Sequence, residues 1–231
     1  MRRRAVFLDR DGVINRYAYN AEFGTVDSPA SPDQFELLPG AGAAIASLNR
    51  MRIPVIVVSN QPGIAHGKFS PSLLDAITEK MRAQLAKSGA RLDGVLYCRH
   101  HPEGALDQYR IDCECRVPKT GMLQRAATER NLNLDQSFLV GDGVDDILAG
   151  HAAGLMTFLI SSDQTAVSEE FSMRGAYPDC VVSNLKEAAT TITELLADCM
   201  GTNKEHRGTG TLRLSAVPSP ALWPTSNFDR Q

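Results

Sequence analysis

The sequence has no apolar run approaching the length needed to cross a bilayer, so a membrane-spanning role is not expected. It has no surplus of positive charge. Its 24 Lys and Arg stand against 27 Asp and Glu, a net charge of -3, and no basic stripe stands out, which argues against a nucleic-acid binder. The basic start at Arg2, Arg3 and Arg4 is followed by an apolar run over 5–8, too short for a signal-peptide core. A cytoplasmic protein is the expectation. Cysteine is sparse at five residues, yet Cys98, Cys113 and Cys115 cluster. In a reducing compartment such a cluster points to a metal site rather than to disulfides. No internal repeat is visible, and nothing fixes the oligomeric state; a monomer is the working expectation.

What is present is enough apolar residue, 43% of 231, for one well-buried domain with some chain left over. Short Val- and Ile-rich runs read as strands over 5–8, 54–58, 94–97, 137–140, 156–160 and 180–182. Helical patterns read over 41–51, 71–87, 122–131, 145–153 and 185–199. Ser70-Pro71 reads as an N-cap followed by a first-turn proline, and Asn184 as the cap of the last helix. Strand–helix alternation predicts an α/β fold, a Rossmann-like parallel sheet with helices on both faces. Continuous apolar strands fit, because both of their faces are buried. Segment 12–39 is long and turn-rich and reads as a short flap after the first strand; 98–119 is a long loop holding the cysteines. The expected domain covers 1–200. From 201 to 231 the composition predicts a disordered tail, unless Trp223 and Phe228 dock it.

Open parallel sheets bind ligands beyond the carboxyl ends of their strands. In this sequence the first strand ends in Asp9 and Asp11, the second in Ser59 and Asn60, and the fourth, in "FLVGDGVDD", in Asp142, with Asp145 and Asp146 just beyond. Parallel strands would gather all of these on one rim. Carboxylates collected there repel one another unless a cation joins them, and oxygen-only ligation suits Mg²⁺ with a substrate phosphate. One carboxylate can then attack phosphorus, and its neighbour can serve as general acid and base. Ser59 and Asn60, with the adjacent Gln61, are candidates to bind the phosphorylated substrate.

The cysteine loop carries a second metal signal. Cys98-x-His100 and Cys113-x-Cys115 supply three thiolates and an imidazole, a donor set for tetrahedral zinc, with His101 the rival nitrogen ligand. A closed four-ligand site of this kind is structural: it folds a loop that has little core of its own. Arg116 directly follows the last proposed ligand, so zinc would aim its guanidinium, which suits a second phosphate or a sugar group.

Taken in order, "FLDRDGVIN", "VVSNQPGIAHGKF", "CRHH", "CECR" and "VGDGVDDILAG" resemble the haloacid dehalogenase superfamily. More narrowly they resemble its D-glycero-D-manno-heptose-1,7-bisphosphate 7-phosphatase group, which is related to the histidinol phosphate phosphatases. The resemblance covers residues 4–195. It implies removal of one phosphate from a small phosphorylated sugar through an aspartyl-phosphate, with Mg²⁺ and a structural Zn²⁺. It implies that Asp9 is the nucleophile and Asp11 the acid and base. It implies Mg²⁺ ligation by the Asp9 and Asp142 side chains and the Asp11 carbonyl, and places Cys98, His100, Cys113 and Cys115 on the zinc ligands. It also places Tyr17 to Asn20 against substrate. Three positions depart from the family pattern: Val117 and Gly143 stand where Lys is usual, and His66 where Arg is common. Lys119 is the candidate to replace the first missing cation. These departures leave two alternatives: a phosphatase-like protein that binds without turnover, and an enzyme for histidinol phosphate or another small monophosphate.

Overall fold

The computed structural model describes residues 2–21, 24–161 and 169–201. Apart from Gly201, the expected tail, Trp223 and Phe228 included, lies outside them. In chain order the elements are β1 (Val6–Leu8), β2 (Ala18–Asn20), β3 (Thr25–Asp27), α1 (Ala41–Arg50), β4 (Val55–Asn60), α2 (Pro71–Ala86) and β5 (Gly94–Cys98). Then follow α3 (Gly121–Arg130), β6 (Phe138–Gly141), α4 (Val144–Ala152), β7 (Met156–Ile160), α5 (Glu169–Met173), β8 (Cys180–Val182) and α6 (Leu185–Gly201).

The six strands read from apolar runs form one sheet in the order β5-β4-β1-β6-β7-β8, parallel throughout. Successive side chains of a strand face opposite ways, so the inner strands feed two cores. Val6, Leu8, Val55, Val57 and Val140 pack with Ile45 and Leu48 of α1, Ile77 and Met81 of α2 and Ile192 of α6. Phe7, Ile56, Val58 and Leu139 pack on the other face with Met122 and Leu123 of α3 and Ala149 of α4. Burying each such aliphatic or aromatic side chain contributes about 1.5–3 kcal/mol, which offsets the entropy lost in ordering the chain.

Helix ends follow their local chemistry. Ser70 accepts the Leu73 N–H at 3.2 Å with Pro71 in the first turn of α2. Asn184 accepts the Glu187 N–H at 3.1 Å, and Glu187 accepts the Ser183 N–H at 2.7 Å, closing a reciprocal cap on α6. Among the described residues no helix is long and apolar enough to cross a membrane.

Two elements were not visible as periodic patterns. The flap segment contains an antiparallel hairpin, β2 paired with β3. Three-residue strands are too short to show an alternation, and Tyr19 and Val26, opposite one another on it, are exposed rather than core-facing. The five-residue α5 anchors mainly by Phe171, which packs on Val144, Ile147 and Leu159.

Candidate active site

The sheet reverses its winding at β1: the chain runs outward through β4 and β5, then returns to the other side of β1 with β6, β7 and β8. A crevice at such a switch point lies beyond the strands' carboxyl ends. Asp9 leaves β1 there, its N–H bonded to the Val140 carbonyl at 3.0 Å, and Asp142 follows β6. A ligand oxygen from each of Asp9, Asp142 and Asp146 lies within 4.8 Å of the others. They face a pocket of about 240 Å³ that Ser59, Asn60 and Val117 also line.

Two glycines make room for this crowd. Gly12 turns the chain at φ +76°, and a Cβ there would overlap the Asp142 carboxylate. A Cβ on Gly141 would overlap Asp146, whose carboxylate folds back from the first turn of α4 to accept the Gly143 N–H at 3.2 Å.

Six aspartates line the pocket, and their partners divide them into two sets. Asp11, Asp27 and Asp145 each pair with a cation of the chain, respectively Arg10, Lys68 and Arg174. Asp9, Asp142 and Asp146 have neutral partners instead: the Ser59 hydroxyl, the Tyr17 hydroxyl at 3.0 Å and the Gly143 N–H. Among the described residues no Lys or Arg lines the pocket. Their protonation reflects this. Burial, then the charges of Asp146, Asp11 and Asp142, holds the Asp9 carboxyl well above the usual carboxylate range. Burial lifts Asp142 to about 6 despite the hydrogen bond from Tyr17. Burial and the Asp142 charge lift Asp146 to about 7. A compact oxygen set that lacks a counter-charge fits a hard divalent cation such as Mg²⁺.

Asp146 was not among the expected metal ligands. The signal for it was present: a carboxylate at the third position of a helix that starts directly after the strand-end Gly-Asp-Gly turns back toward its own N-terminus. Asp11, by contrast, contributes no side chain to the group. Its carboxylate is caged by Arg10 (2.9–3.1 Å), Asn15 (2.8 Å), Gln61 (2.9 Å) and Ser28 (2.7 Å). Arg10 is wholly buried, with its guanidinium over the Tyr97 ring.

The other expected substrate contacts separate. Tyr17 lines the pocket from the flap. Ser59 lies in it, 2% exposed. Gln61 is fully buried outside the pocket lining, bridging Arg10, Asp11 and Ser59. Both polar atoms of the Asn60 amide are engaged by the Val117 backbone. Asn20 lies on the hairpin, outside the pocket lining. Arg116 also lies outside that lining, its guanidinium 3.5 Å from the His100 carbonyl. Lys119, the candidate replacement for the first missing cation, lies outside that lining, its ammonium paired with Asp112 at 2.7 Å and Glu114 at 3.3 Å. Sequence spacing alone gave no account of these acidic competitors.

The cysteine loop closes on itself. The sulfurs of Cys98, Cys113 and Cys115 lie 3.1–3.5 Å apart, and His100 Nδ1 lies 3.3 Å from Cys115 Sγ and 4.0 Å from Cys98 Sγ. A tetrahedron with metal–sulfur bonds of about 2.3 Å has edges of roughly 3.8 Å, so the donor set is close to the size zinc requires. Burial opposes ionisation of the Cys113 thiol, but hydrogen bonds from Cys115, Cys98 and His100 outweigh it and bring the thiol down to about 7. His101 is not in the cluster; its ring lies 4.7 Å from that of His66, and its Nδ1 accepts the Glu103 N–H at 3.1 Å.

Comparison with known proteins agrees with this geometry. Residues 114–188 match the HAD-hydrolase-like family model. The chain is 38% identical over 170 residues to the D-glycero-beta-D-manno-heptose-1,7-bisphosphate 7-phosphatase of Vibrio cholerae, covering 74% of this chain and 87% of that one. It is 39% identical over 153 residues to the Escherichia coli K12 protein of the same name, covering 66% and 76%. The crystal structure of D,D-heptose 1,7-bisphosphate phosphatase from B. bronchiseptica, complexed with magnesium and phosphate, superposes with a TM-score of 0.67 at 32% identity, covering 84% of this chain and 99% of that one. A parallel sheet with carboxylates collected at its switch point thus defines a hydrolase of the haloacid dehalogenase superfamily. Within that superfamily the chain belongs to the D-glycero-beta-D-manno-heptose-1,7-bisphosphate 7-phosphatase family, whose members are phosphoric monoester hydrolases.

Proposed function

We propose that the protein removes one phosphate from a small sugar bisphosphate, with D-glycero-β-D-manno-heptose 1,7-bisphosphate the substrate that its relatives' names indicate. The observation that carries this reading is the group of three carboxylates without a counter-charge, Asp9, Asp142 and Asp146, at the switch point of the sheet. Mg²⁺ bound by that group would neutralise the carboxylates and the substrate phosphate, so that one anion can approach another. Zn²⁺ held by Cys98, His100, Cys113 and Cys115 would fix the loop.

The chain's own residues then divide the chemistry. An Asp9 oxygen attacks phosphorus, a P–O bond forms to the carboxylate, and the bond to the sugar oxygen breaks. The departing alkoxide takes a proton from the Asp11 carboxyl. Water then attacks the phosphorus of the aspartyl-phosphate, gives its proton back to Asp11, and frees Asp9 with release of inorganic phosphate. For this exchange Asp11 must turn from its cage of donors toward the pocket. Ser28, on the segment that follows the hairpin, holds one of its oxygens, which links flap position to proton transfer. Ser59 donates to phosphoryl oxygens, and Tyr17 closes the pocket beside Asp142.

The test is phosphate release with Mg²⁺ from a panel: the heptose bisphosphate, fructose 1,6-bisphosphate, histidinol phosphate and p-nitrophenyl phosphate. Preferred turnover of the heptose bisphosphate supports the proposal, and preferred turnover of histidinol phosphate overturns its substrate. The lack of any Lys or Arg in the pocket lining among the described residues favours a second reading, binding without turnover. Tight binding of a bisphosphate with no release across the panel would establish it.

A further inference from the structure

We propose that Asn60 is a positioning residue that straps the zinc loop to the phosphoryl pocket through both backbone groups of Val117; the claim rests on the metal and pocket assignments above. The Asn60 Oδ1 accepts the Val117 N–H at 3.1 Å, and its Nδ2 donates to the Val117 carbonyl at 3.0 Å. The side-chain amide thus imitates a neighbouring strand, pairing with one residue through a donor and an acceptor together. Asp lacks the donor, Ser is too short to offer both atoms, and Gln carries them one methylene too far.

The strap joins two sites. Val117 lies two residues beyond the ligand Cys115 and lines the pocket, 5% exposed. Asn60 is the ladder partner of Cys98, the first ligand, and the next residue's N–H donates to the Cys98 carbonyl at 2.7 Å. One residue therefore holds the entrance of the loop through the sheet and its exit through a side chain. Its other neighbour, Ser59, touches Asp9. The loop itself contributes little to the core: beyond Cys98 and Val117, Cys113 and Cys115 pack against the same cluster and Tyr109 against the small cluster of Ile64, Phe69 and Leu74, all three partly buried. Its exit therefore depends on the strap and the metal together. Closure of the thiolate set would fix Val117, Val117 forms part of the pocket wall, and Asn60 links the one to the other.

The experiment uses the full chain loaded with zinc and magnesium, with Asn60→Ala and the near-isosteric Asn60→Asp. Zinc release to a chromogenic chelator is measured without substrate, alongside kcat, KM and orthovanadate affinity. The strap predicts zinc release faster by about tenfold or more in Asn60→Ala, as for other residues that orient metal ligands, with an intermediate rate in Asn60→Asp. It predicts a fall in kcat that is not added to that of Cys113→Ser when the two are combined. Unchanged zinc release in both variants together with weaker vanadate binding would show that Asn60 grips the phosphoryl group directly, and would overturn the proposal. So would additive losses in the double variant. Because zinc release is read without a phosphate ester, a failure to find any hydrolysable substrate would count against the proposed function and leave the strap standing or falling on its own.

Discussion

The carboxylate group and the cysteine cluster are both candidate metal sites, yet they are held in opposite ways. Asp9, Asp142 and Asp146 project from β1, from the end of β6 and from the first turn of α4, all anchored in buried sheet and helix. The scaffold holds these charges together against their own repulsion. Cys113, Cys115 and His100 sit on a loop whose regular structure is a single short turn over 107–109, held by the Cys/His group itself, by the Asn60 contacts to Val117 and by a few turns such as Arg110 to the Gly104 carbonyl. The difference suggests separate tasks for the two sites. A cation on the carboxylates would relieve repulsion that the fold already bears, whereas a cation on the thiolates would hold a loop that has little core of its own.

The sharpest way to break this comparison is Asp9→Asn. It keeps the shape, removes the proposed nucleophile and lessens repulsion. Turnover should fall on the order of 10⁴-fold while the melting temperature without Mg²⁺ holds or rises; a drop in stability would show that the carboxylates are not strained. Next in size is removal of zinc, or Cys113→Ser. Limited proteolysis should then cut within 98–119 while the sheet keeps its cooperative melting, since structural zinc sites contribute folding energy locally. Stripping Mg²⁺ should leave that loop uncut. Equal protection in zinc-free protein would erase the distinction.

A third test is Gly141→Ala, whose added methyl displaces Asp146. Mg²⁺ affinity should weaken by about tenfold, with zinc content unchanged.

The smallest expected effect is on pH dependence. With Asp142 raised to about 6 and Asp146 to about 7, the metal-free folded protein retains protons that an unfolded chain, with carboxyls near 4, has already lost. Its stability therefore falls as pH rises through that window. Metal-free protein should melt about 5 °C lower at about pH 8 than at about pH 5. Added Mg²⁺ should recover the loss and bind more tightly as pH rises. A melting temperature that climbs over the same range without metal would mean that these carboxylates are not strained.

Much of this was legible in the sequence because strong signals were local. Buried parallel strands read as apolar runs, and their order along the chain, with polar groups at the ends, foretold that Asp9, Ser59 and Asp142 would meet. The thiol spacing was equally direct. What stayed hidden depended on partners far along the chain. Lys119 looked available until the loop brought Asp112 and Glu114 to it. Gln61 and Asn60 looked like ligand contacts, but one is consumed by Asp11 and Arg10 and the other by Val117. Asp146 was placed on the rim with the other strand-end groups but not among the metal ligands; the backbone at Gly141 shows how closely its carboxylate approaches the strand end. The hairpin escaped notice because each of its strands is three residues long.

The switch point at β1 has a consequence for how the protein comes into being. The proposed nucleophile is made early in the chain, and the two carboxylates grouped with it come more than a hundred residues later, from the opposite wing of the sheet. A nascent or half-collapsed chain can therefore own the reactive group without owning the charge environment that arms it. Under the proposed mechanism, hydrolysis therefore requires both wings of the sheet to be in place.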